Sequence, residues 1–307
     1  MHIYRTDRFA LPLPDGHRFP ACKYRMLAEA VEAFAGKYLE EAPAATFHEL
    51  TRAHTPDYVR GVFDGSLAPA RWREIGFPWS TELAERSARS AGATVAAARA
   101  ALAGGVGISL AGGTHHAFAD RGSGFCVFND VAVAASLMLE EGRVRRVLVI
   151  DLDVHQGNGT AALFQNEPRV FTFSMHGEKN FPFRKVDGDW DIDLPDGTGD
   201  GAYLATLSAA LPALFERARP DLVFYLAGAD PYSGDRLGRL ALSGAGLAER
   251  DRRVFEACRA YGAALAVTMA GGYAEPIEET VAIQANTVRL ALDVYCRAPS
   301  GTAACAD

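Results

Sequence analysis

Short apolar runs alternate with longer segments of helical periodicity along most of this chain. The apolar runs occupy residues 106–110, 147–150, 170–173, 222–226 and 265–269. Apolar residues recur every three or four positions in residues 22–41, 81–103, 130–141, 202–218, 247–261 and 277–295. Because strands that alternate with helices are typical of βαβ units, this order predicts an α/β fold with an open parallel sheet and helices on both faces.

No segment of the chain has the composition of a linker between domains. We expect a single domain over residues 1–297 and a frayed tail over the small and polar residues 298–307. Residues 176–200 are rich in Gly, Asp and Pro and show little periodicity. They are predicted to form a loop that borders a site, because long irregular segments inside a domain are usually functional.

Composition argues against several classes of protein. The chain has 31 Lys and Arg against 38 Asp and Glu, a net charge of -7, and no basic run, so direct nucleic-acid binding is not expected. The five cysteines form no CxxC pair, so neither a disulfide framework nor a thiolate zinc site is expected. The absence of a disulfide framework favours a location in the reducing cytoplasm. No stretch reaches the ~18 apolar residues of a membrane span, so membrane insertion is not expected.

Polar residues follow each apolar run at once. These clusters contain His115 and His116, then Asp151, Asp153 and His155, then Ser174 and His176, then Asp230, and finally Tyr273. The carboxyl ends of parallel strands lie along one edge of a sheet, so the clusters are expected to share one rim. One such residue alone would be more typical of a helix cap or a buried structural group. Five clusters predict a bound cation, because burying so many ionisable groups without one is costly.

Three of these residues can form a metal site. Asp153 and His155 are two positions apart, so on an extended strand end their side chains face the same way and can chelate one ion. Asp230, after a neighbouring strand, completes a set of two carboxylates and one imidazole. Three protein ligands leave a position open for water and substrate, as in catalytic zinc sites, and the absence of thiolates leaves Fe2+, Co2+ or Mn2+ as alternatives.

Three further residues are candidates for the chemical steps. His115 and His116 have ordinary pKa values near neutrality, which suits proton transfer. Because adjacent side chains are expected to diverge, the two histidines are predicted to have different roles. Tyr273 follows Gly271 and Gly272, which let the backbone come close, and its phenol can stabilise an oxyanion. With a metal, this set predicts hydrolysis of an acyl bond.

Five sequence motifs follow one another along the chain. They are Gly113-Thr-His115-His116, Gly124-Phe-Cys-Val-Phe-Asn129-Asp130, Asp151-Leu-Asp-Val-His-Gln-Gly-Asn-Gly159, Gly228-Ala-Asp230 with Gly234-Asp-Arg-Leu-Gly238, and Gly271-Gly-Tyr273. This pattern, in a region from about residue 17 to 290, closely resembles the zinc-dependent histone deacetylase superfamily. The resemblance implies the arginase/deacetylase fold and lysine deacylation through zinc.

The resemblance also implies roles for individual residues. Zinc would be held by Asp153, His155 and Asp230, with His116 as general base and acid, Tyr273 as the group that polarises the acyl carbonyl, and His115 oriented by Asp151. Substrate would contact Gly124, Phe125, Phe181 and Gly272, the two phenylalanines being walls of an acyl-lysine tunnel. Potassium is implied at Asp151, Asp153, His155, Ser174 and Met175, with a weaker second site near Phe164, Glu167 and Val170.

Asn158 departs from the class I pattern, which has an acid at this position. With Phe19-Pro-Ala-Cys-Lys23-Tyr24 and Ser174-Met-His176, it makes the chain more similar to the class IV and bacterial branch. An amide can accept a hydrogen bond from imidazole but cannot stabilise imidazolium with a full charge. Because relatives in this branch include fatty-acyl deacylases, acyl chains longer than acetyl are expected.

We therefore expect a zinc-dependent amidohydrolase that removes an acyl group from lysine in a peptide or protein. One alternative is a deacylase of the same fold acting on acetylpolyamine or another small N-acyl amine. An acidic residue at the cavity mouth would favour a polyamine, and Tyr232 beside Asp230 is not acidic. Another alternative is a module that binds acyl-lysine without hydrolysing it, against which the complete set of candidate catalytic residues argues.

Overall fold

A computed structural model describes residues 1–296 as one eight-stranded sheet with helices on both faces. Its strands are β1 (His2–Arg5), β2 (Leu39–Glu41), β3 (Val106–Ser109), β4 (Val147–Asp151), β5 (Val170–Gly177), β6 (Trp190–Leu194), β7 (Leu222–Leu226) and β8 (Ala264–Thr268). Its α-helices are α1 (Lys23–Ala35), α2 (Phe47–Leu50), α3 (Pro56–Asp64), α4 (Pro69–Ile75), α5 (Thr81–Gly104), α6 (Asp130–Glu140), α7 (Asn158–Phe164), α8 (Asp200–Ala218), α9 (Gly244–Ala260) and α10 (Ile277–Cys296).

The sheet has the strand order β2-β1-β3-β8-β7-β4-β5-β6, and every neighbouring pair is parallel. The predicted parallel α/β fold is therefore confirmed. The five predicted strands are β3, β8, β7, β4 and β5, and they occupy adjacent positions in the middle of the sheet. Residues of α1, α8, α9 and α10 form one apolar core with the sheet, and residues of α3, α5 and α6 form the other. Burial on both faces explains why these strands are continuous apolar runs.

Local sequence signals account for the helix boundaries near the site. The side chains of Thr55, Ser80 and Asn129 accept hydrogen bonds from the first turns of α3, α5 and α6. Gly65 and Gly76, with φ of 74° and 87°, end α3 and α4 in the left-handed conformation. Helix α4 and the following Gly76 supply part of the cavity wall described below.

The predicted helix over residues 22–41 is too long. Helix α1 ends at Ala35, a 3-10 turn follows at Gly36–Tyr38, and Leu39–Glu41 forms the edge strand β2. This strand pairs in parallel with β1, which the sequence did not predict either. Both strands are only three or four residues long, so neither has enough alternation to be distinguished from a neighbouring helix or loop.

The predicted loop over residues 176–200 is also partly wrong. Strand β5 continues to Gly177, and Trp190–Leu194 forms the edge strand β6, which pairs with β5. The predicted tail, residues 298–307, lies outside the described residues. Within residues 1–296, no helix is long and apolar enough to cross a membrane.

His54 predicts an acid-sensitive step in stability. Its Nδ1 donates to Phe118 O at 2.9 Å, and its Nε2 accepts from Asn129 N at 2.9 Å, so the second contact requires neutral imidazole. Burial lowers the pKa of His54 to about 4. The unfolded chain binds this proton more readily, so the free energy of unfolding should fall as pH drops from ~6.5 to ~4, by up to about 3 kcal/mol.

Denaturant unfolding of metal-free wild type and His54→Gln at several pH values between 7 and 4 measures this contribution. The His54→Gln variant should lose less stability than wild type over this range. The matched control is His48→Gln, because His48 is exposed. Parallel wild-type and His54→Gln curves would show that His54 does not titrate as the buried contacts require.

Candidate metal centre and active-site cavity

The turns after β4 and β7 bring two carboxylates and one imidazole together. One ligand atom each from Asp153, His155 and Asp230 lies within 4.8 Å of the other two. His155 Nδ1 is 2.9 Å from Asp153 Oδ1 and 3.3 Å from Asp230 Oδ2. Asp153 and Asp230 are buried, and the His155 side chain is 12% exposed. Strand β4 ends at Asp151, so Asp153 and His155 converge in a turn and not, as predicted, on an extended strand end.

The chemistry of this cluster fits a divalent cation. Asp230 Oδ2 is buried and, although it lies 3.3 Å from His155 Nδ1, makes no hydrogen bond with residues 1–296, while Oδ1 accepts from Val154 N at 2.9 Å. Burial and the neighbouring Asp153 carboxylate raise the pKa of Asp230 to about 7, so the ionised pair is unfavourable without a cation. A β-carbon at Gly271 would lie 1.9 Å from Asp230 Oδ2 and 2.6 Å from Asp153 Oδ2. Glycine therefore leaves the space in which the carboxylates meet.

The side chains of His115 and His116 converge, which contradicts the predicted divergence. Their Nε2 atoms are 3.1 Å apart, and their ring centroids are separated by 4.1 Å. Adjacent side chains point in opposite directions only on an extended strand. The chain after β3 is not extended, because Gly112 and Gly113 have φ of 78° and 72°. The two imidazoles differ instead in their partners. Asp151 Oδ2 is 2.6 Å from His115 Nδ1, whereas Asn158 Oδ1 is 2.8 Å from His116 Nδ1.

These partners give the two histidines different charges. Burial alone would lower the pKa of His115, but the Asp151 and Asp153 carboxylates outweigh burial and raise that pKa to about 9. Burial holds the pKa of His116 well below its usual range, and the neighbouring His115 and His155 lower it further. His116 is therefore the neutral member of the pair, with the amide of Asn158 as its partner.

The backbone of Tyr273 is fixed by the turn that contains Asp235. Asp235 Oδ2 accepts from Tyr273 N at 2.6 Å, and its Oδ1 accepts from Leu237 N and Gly238 N. The Tyr273 ring packs against Phe19 and Phe125 at centroid distances of 6.1 and 6.3 Å. Burial raises the pKa of Tyr273 well above its usual range, so the phenol keeps its proton.

Aromatic side chains form the walls of a cavity of about 630 Å3 that contains the cluster. The Phe181 ring meets His116 edge-on at 4.8 Å, and a β-carbon at Gly124 would lie 3.1 Å from Phe181. Phe125 has φ of 66°, a strained value for a bulky residue, and its N donates to Ile75 O at 2.7 Å. Gly124, Phe125, Phe181 and Gly271 line the cavity, whereas Gly272 is next to the lining in sequence, and the predicted substrate contacts of Gly124, Phe125, Phe181 and Gly272 stay predictions.

Two charged groups near the site were not predicted. Lys23 is 2% exposed, lines the cavity, and donates from Nζ to Gly272 O at 3.1 Å. Arg250 is fully buried, donates to Gly228 O at 2.6 Å and to Leu152 O at 3.3 Å, and pairs with Asp251. Leu152 precedes Asp153 and Gly228 lies two residues before Asp230, so Arg250 supports both turns that carry carboxylates. The sequence signal for these two groups is a charged residue among the apolar residues that form the buried face of a helix. This residue is Lys23 in α1 and Arg250 in α9.

The residues implied for potassium lie mainly on β4 and β5. Asp151 and Ser174 are register partners, and Met175 follows Ser174 in the buried part of β5. Ser174 Oγ is 2.8 Å from His176 Nδ1, and His176 Nε2 is 2.9 Å from Asp193, so His176 serves the packing of β5 and β6. Around the second implied site, Phe164 O accepts from Glu167 N at 2.9 Å and Glu167 O accepts from Val170 N at 3.0 Å. Both potassium sites stay predictions.

Comparison with known proteins gives consistent matches. The histone deacetylase domain family matches residues 17–288. An uncharacterized protein of Picosynechococcus sp. is 43% identical, and the alignment covers 95% of this chain and 98% of that protein. The histone deacetylase-like amidohydrolase of Pseudomonas aeruginosa is 32% identical over 86% of this chain and 74% of its own length.

Structural comparison and the longer relatives extend this result. The crystal structure of an HDAC homologue complexed with SAHA has a TM-score of 0.83 and 26% identity, covering 96% of this chain and 84% of that one. The chain spans only 51% of the length of histone deacetylase 2 from Arabidopsis thaliana, with 35% identity in the matched part. The chain belongs to the histone deacetylase family, which includes deacetylases and related amidohydrolases.

Proposed function

We propose that this protein hydrolyses the amide bond of an acyl-lysine in a peptide or protein, with zinc held by Asp153, His155 and Asp230. The observation that carries the proposal is the presence of these three residues, His116 and Tyr273 around one cavity. Fe2+ and Co2+ suit the same donor set. The histone deacetylase-like amidohydrolase of Pseudomonas aeruginosa supports this class of reaction.

The metal supplies a Lewis acid that polarises the amide carbonyl and lowers the pKa of water. The protein side chains position the substrate and move the protons. Phe125 and Phe181 hold the apolar stem of acyl-lysine and exclude water from it. The Tyr273 hydroxyl, which keeps its proton, donates to the acyl oxygen as negative charge develops there.

His116 performs both proton transfers in this proposal. Its Nδ1 proton is directed at Asn158 Oδ1, so Nε2, which lies 3.1 Å from His115 Nε2, is the nitrogen that accepts a proton from the attacking water. The same nitrogen then donates that proton to the departing lysine amine. Asn158 stabilises the imidazolium less than a carboxylate would, so His116 returns its proton readily. His115, oriented by Asp151, stays beside it as a positioning residue.

Turnover of acyl-lysine peptides tests the proposal. The zinc-loaded protein should hydrolyse Nε-acyl-lysine in a peptide, chelation should abolish the reaction, and added Zn2+ should restore it. Hydrolysis restricted to acetylpolyamine or another small N-acyl amine would assign the alternative substrate class. Binding of acyl-lysine without hydrolysis by metal-loaded protein would assign the non-catalytic alternative.

Acyl-chain length gives a separate prediction. We expect kcat/KM to rise from acetyl toward octanoyl and myristoyl until the cavity is filled, because each buried methylene contributes up to ~0.8 kcal/mol, about fourfold in rate. Besides the phenylalanines, Tyr24, Ile75 and Cys126 also line the cavity. The assay uses one peptide sequence with acyl groups of increasing length. Faster turnover of acetyl-lysine than of octanoyl- and myristoyl-lysine would contradict this expectation and leave the deacylase proposal intact.

A further inference from the structure

The opening of the cavity is basic, although the chain as a whole is acidic. Four exposed basic side chains line the cavity, namely Arg18, Arg73, Lys179 and Arg239. Glu74 is the one exposed carboxylate among the described lining residues. The net charge of the chain is -7, so this concentration of positive charge does not follow from composition. We refer to the four basic residues as the basic rim.

The basic rim is supplied by two separate sets of segments. Arg18 and Arg73 belong to the first set, in which His17 Nε2 contacts Gly76 O at 3.0 Å and Gly124 N donates to Glu74 O at 3.1 Å. Lys179 and Arg239 belong to the second set, joined by Asn180. Its Nδ2 donates to Leu237 O at 2.8 Å, and its Oδ1 accepts from Arg239 N at 3.2 Å. A substrate in the cavity therefore meets positive charge from two sets of segments, each held in place by its own hydrogen bonds.

Much of this charge is uncompensated. Among residues 1–296, no carboxylate lies within 4.0 Å of the guanidinium of Arg18 or Arg73. Lys179 and Arg239 share one partner, Asp196, at 3.9 and 3.2 Å. Glu74, the exposed acidic residue of the lining, forms an ion pair with Arg71 at 3.2 Å. Its negative charge is therefore partly compensated by a residue outside the basic rim. The basic rim thus has capacity for anionic groups of a ligand.

We propose that the basic rim selects acyl-lysine residues that lie in acidic peptide segments. This inference rests on the proposed function and specifies the substrate for the same site. Clustered charge of one sign around a cavity attracts ligands of the opposite sign and repels those of the same sign. Carboxylates on both sides of the acyl-lysine can contact the two sets of segments at once. A polyamine, whose remaining amines are cationic, meets net repulsion at the rim.

A peptide series of constant length and acyl group tests this selection. The acyl-lysine is flanked on both sides by two Glu, two Gln or two Lys residues, and N-acylspermidine provides a small cationic substrate. At low ionic strength, kcat/KM for the Glu peptide should exceed that for the Lys peptide by ~10-fold or more, with the Gln peptide between them. Because exposed charges are screened within ~3 Å at 1 M salt, the ratio should approach one there.

Charge reversal at the rim identifies the residues responsible. The double variant Arg18→Glu/Arg73→Glu should lower the Glu-to-Lys ratio to near one or invert it. The double variant Arg145→Glu/Arg146→Glu is the matched control, because both residues are exposed just before the amino end of β4, at the sheet edge away from the site. This control changes the net charge of the chain by the same amount as the rim variant and should keep the wild-type preference.

The possible outcomes separate this inference from the proposed function. Equal turnover of the three peptides, preference for the Lys peptide, or an unchanged ratio in the double variant would overturn the selection while leaving acyl-lysine hydrolysis established. Loss of the preference in Arg145→Glu/Arg146→Glu would attribute the preference to net charge and also overturn the inference. Turnover of N-acylspermidine but of none of the peptides would overturn both the inference and the proposed function.

Discussion

Metal analysis of Asp230→Ala is expected to show loss of the bound transition metal and a fall in turnover of ~10³ or more. Asp230 provides one of two carboxylates in a three-residue donor set, and a site with two ligands left cannot hold a divalent ion tightly. Loss of a Lewis acid removes several kcal/mol of stabilisation from the transition state, and each 1.36 kcal/mol is about tenfold in rate. Metal content per chain after dialysis and the rate with a neutral acyl-lysine peptide measure the two effects.

A second variant separates loss of metal from loss of fold. Alanine leaves Val154 N without its acceptor, at a cost of about 1–3 kcal/mol. Asp230→Asn keeps an oxygen for that donor, removes the negative charge and replaces the other carboxylate oxygen with an NH2 group. Without metal, Asp230→Asn should unfold at a higher temperature than wild type, because the ionised Asp230 is buried beside Asp153. Asp187→Ala, at an exposed position, is the control for metal content. Unchanged metal occupancy in both Asp230 variants would remove this residue from the site.

The location of the site could be predicted because parallel strands that are neighbours in the sheet end close together at one edge. Each of the five predicted strands ends in a polar cluster, and the five strands are neighbours in the sheet. Asp153 and Asp230 are 77 positions apart in sequence, but β4 and β7 are adjacent, so their following turns meet. This inference requires only the positions of the strand ends and the rule that parallel strands end along one edge of the sheet. It therefore holds although the strands β1, β2 and β6 were not predicted.

Side-chain direction could not be predicted in the same way. His115 and His116 follow two glycines in the left-handed conformation, so the strand rule that sends adjacent side chains apart does not apply to them. Their orientation depends on Asp151 and Asn158, which are held by different parts of the chain. The basic rim is similarly hidden, since its four residues come from segments that are distant in sequence.

Buried charge inside helices was the other omission. Lys23 occupies the same face of α1 as Leu27 and Val31, where an apolar side chain would be expected. Its ammonium instead donates to Gly272 O and lies 4.8 Å from the centre of the Tyr273 ring. A single charged residue on the apolar face of a helix does not by itself indicate a role. Only the contacts of Lys23 show that it supports the turn containing Tyr273.

Tyr273→Phe is expected to keep metal and substrate binding and to lower kcat by ~10² to 10³, the usual effect of deleting one oxyanion donor. The substitution removes only the phenol oxygen. The backbone hydrogen bond to Asp235 and the ring contacts with Phe19 and Phe125 persist, so the cavity keeps its shape. Single-turnover rates, metal content and the binding affinity for a non-hydrolysable acyl-lysine analogue measure the separate steps.

A neighbouring phenol provides the matched control for this prediction. Tyr24 also lines the cavity, but its ring lies 4.2 Å from the guanidinium of Arg86, so its hydroxyl belongs to a different polar environment. Tyr24→Phe should therefore leave kcat much closer to wild type than Tyr273→Phe does. If Tyr273→Phe raised KM and left kcat unchanged, the hydroxyl would contribute to uniform binding of substrate and transition state. Wild-type kcat/KM in Tyr273→Phe would exclude the phenol from oxyanion stabilisation, and the amide would then have to be polarised without it.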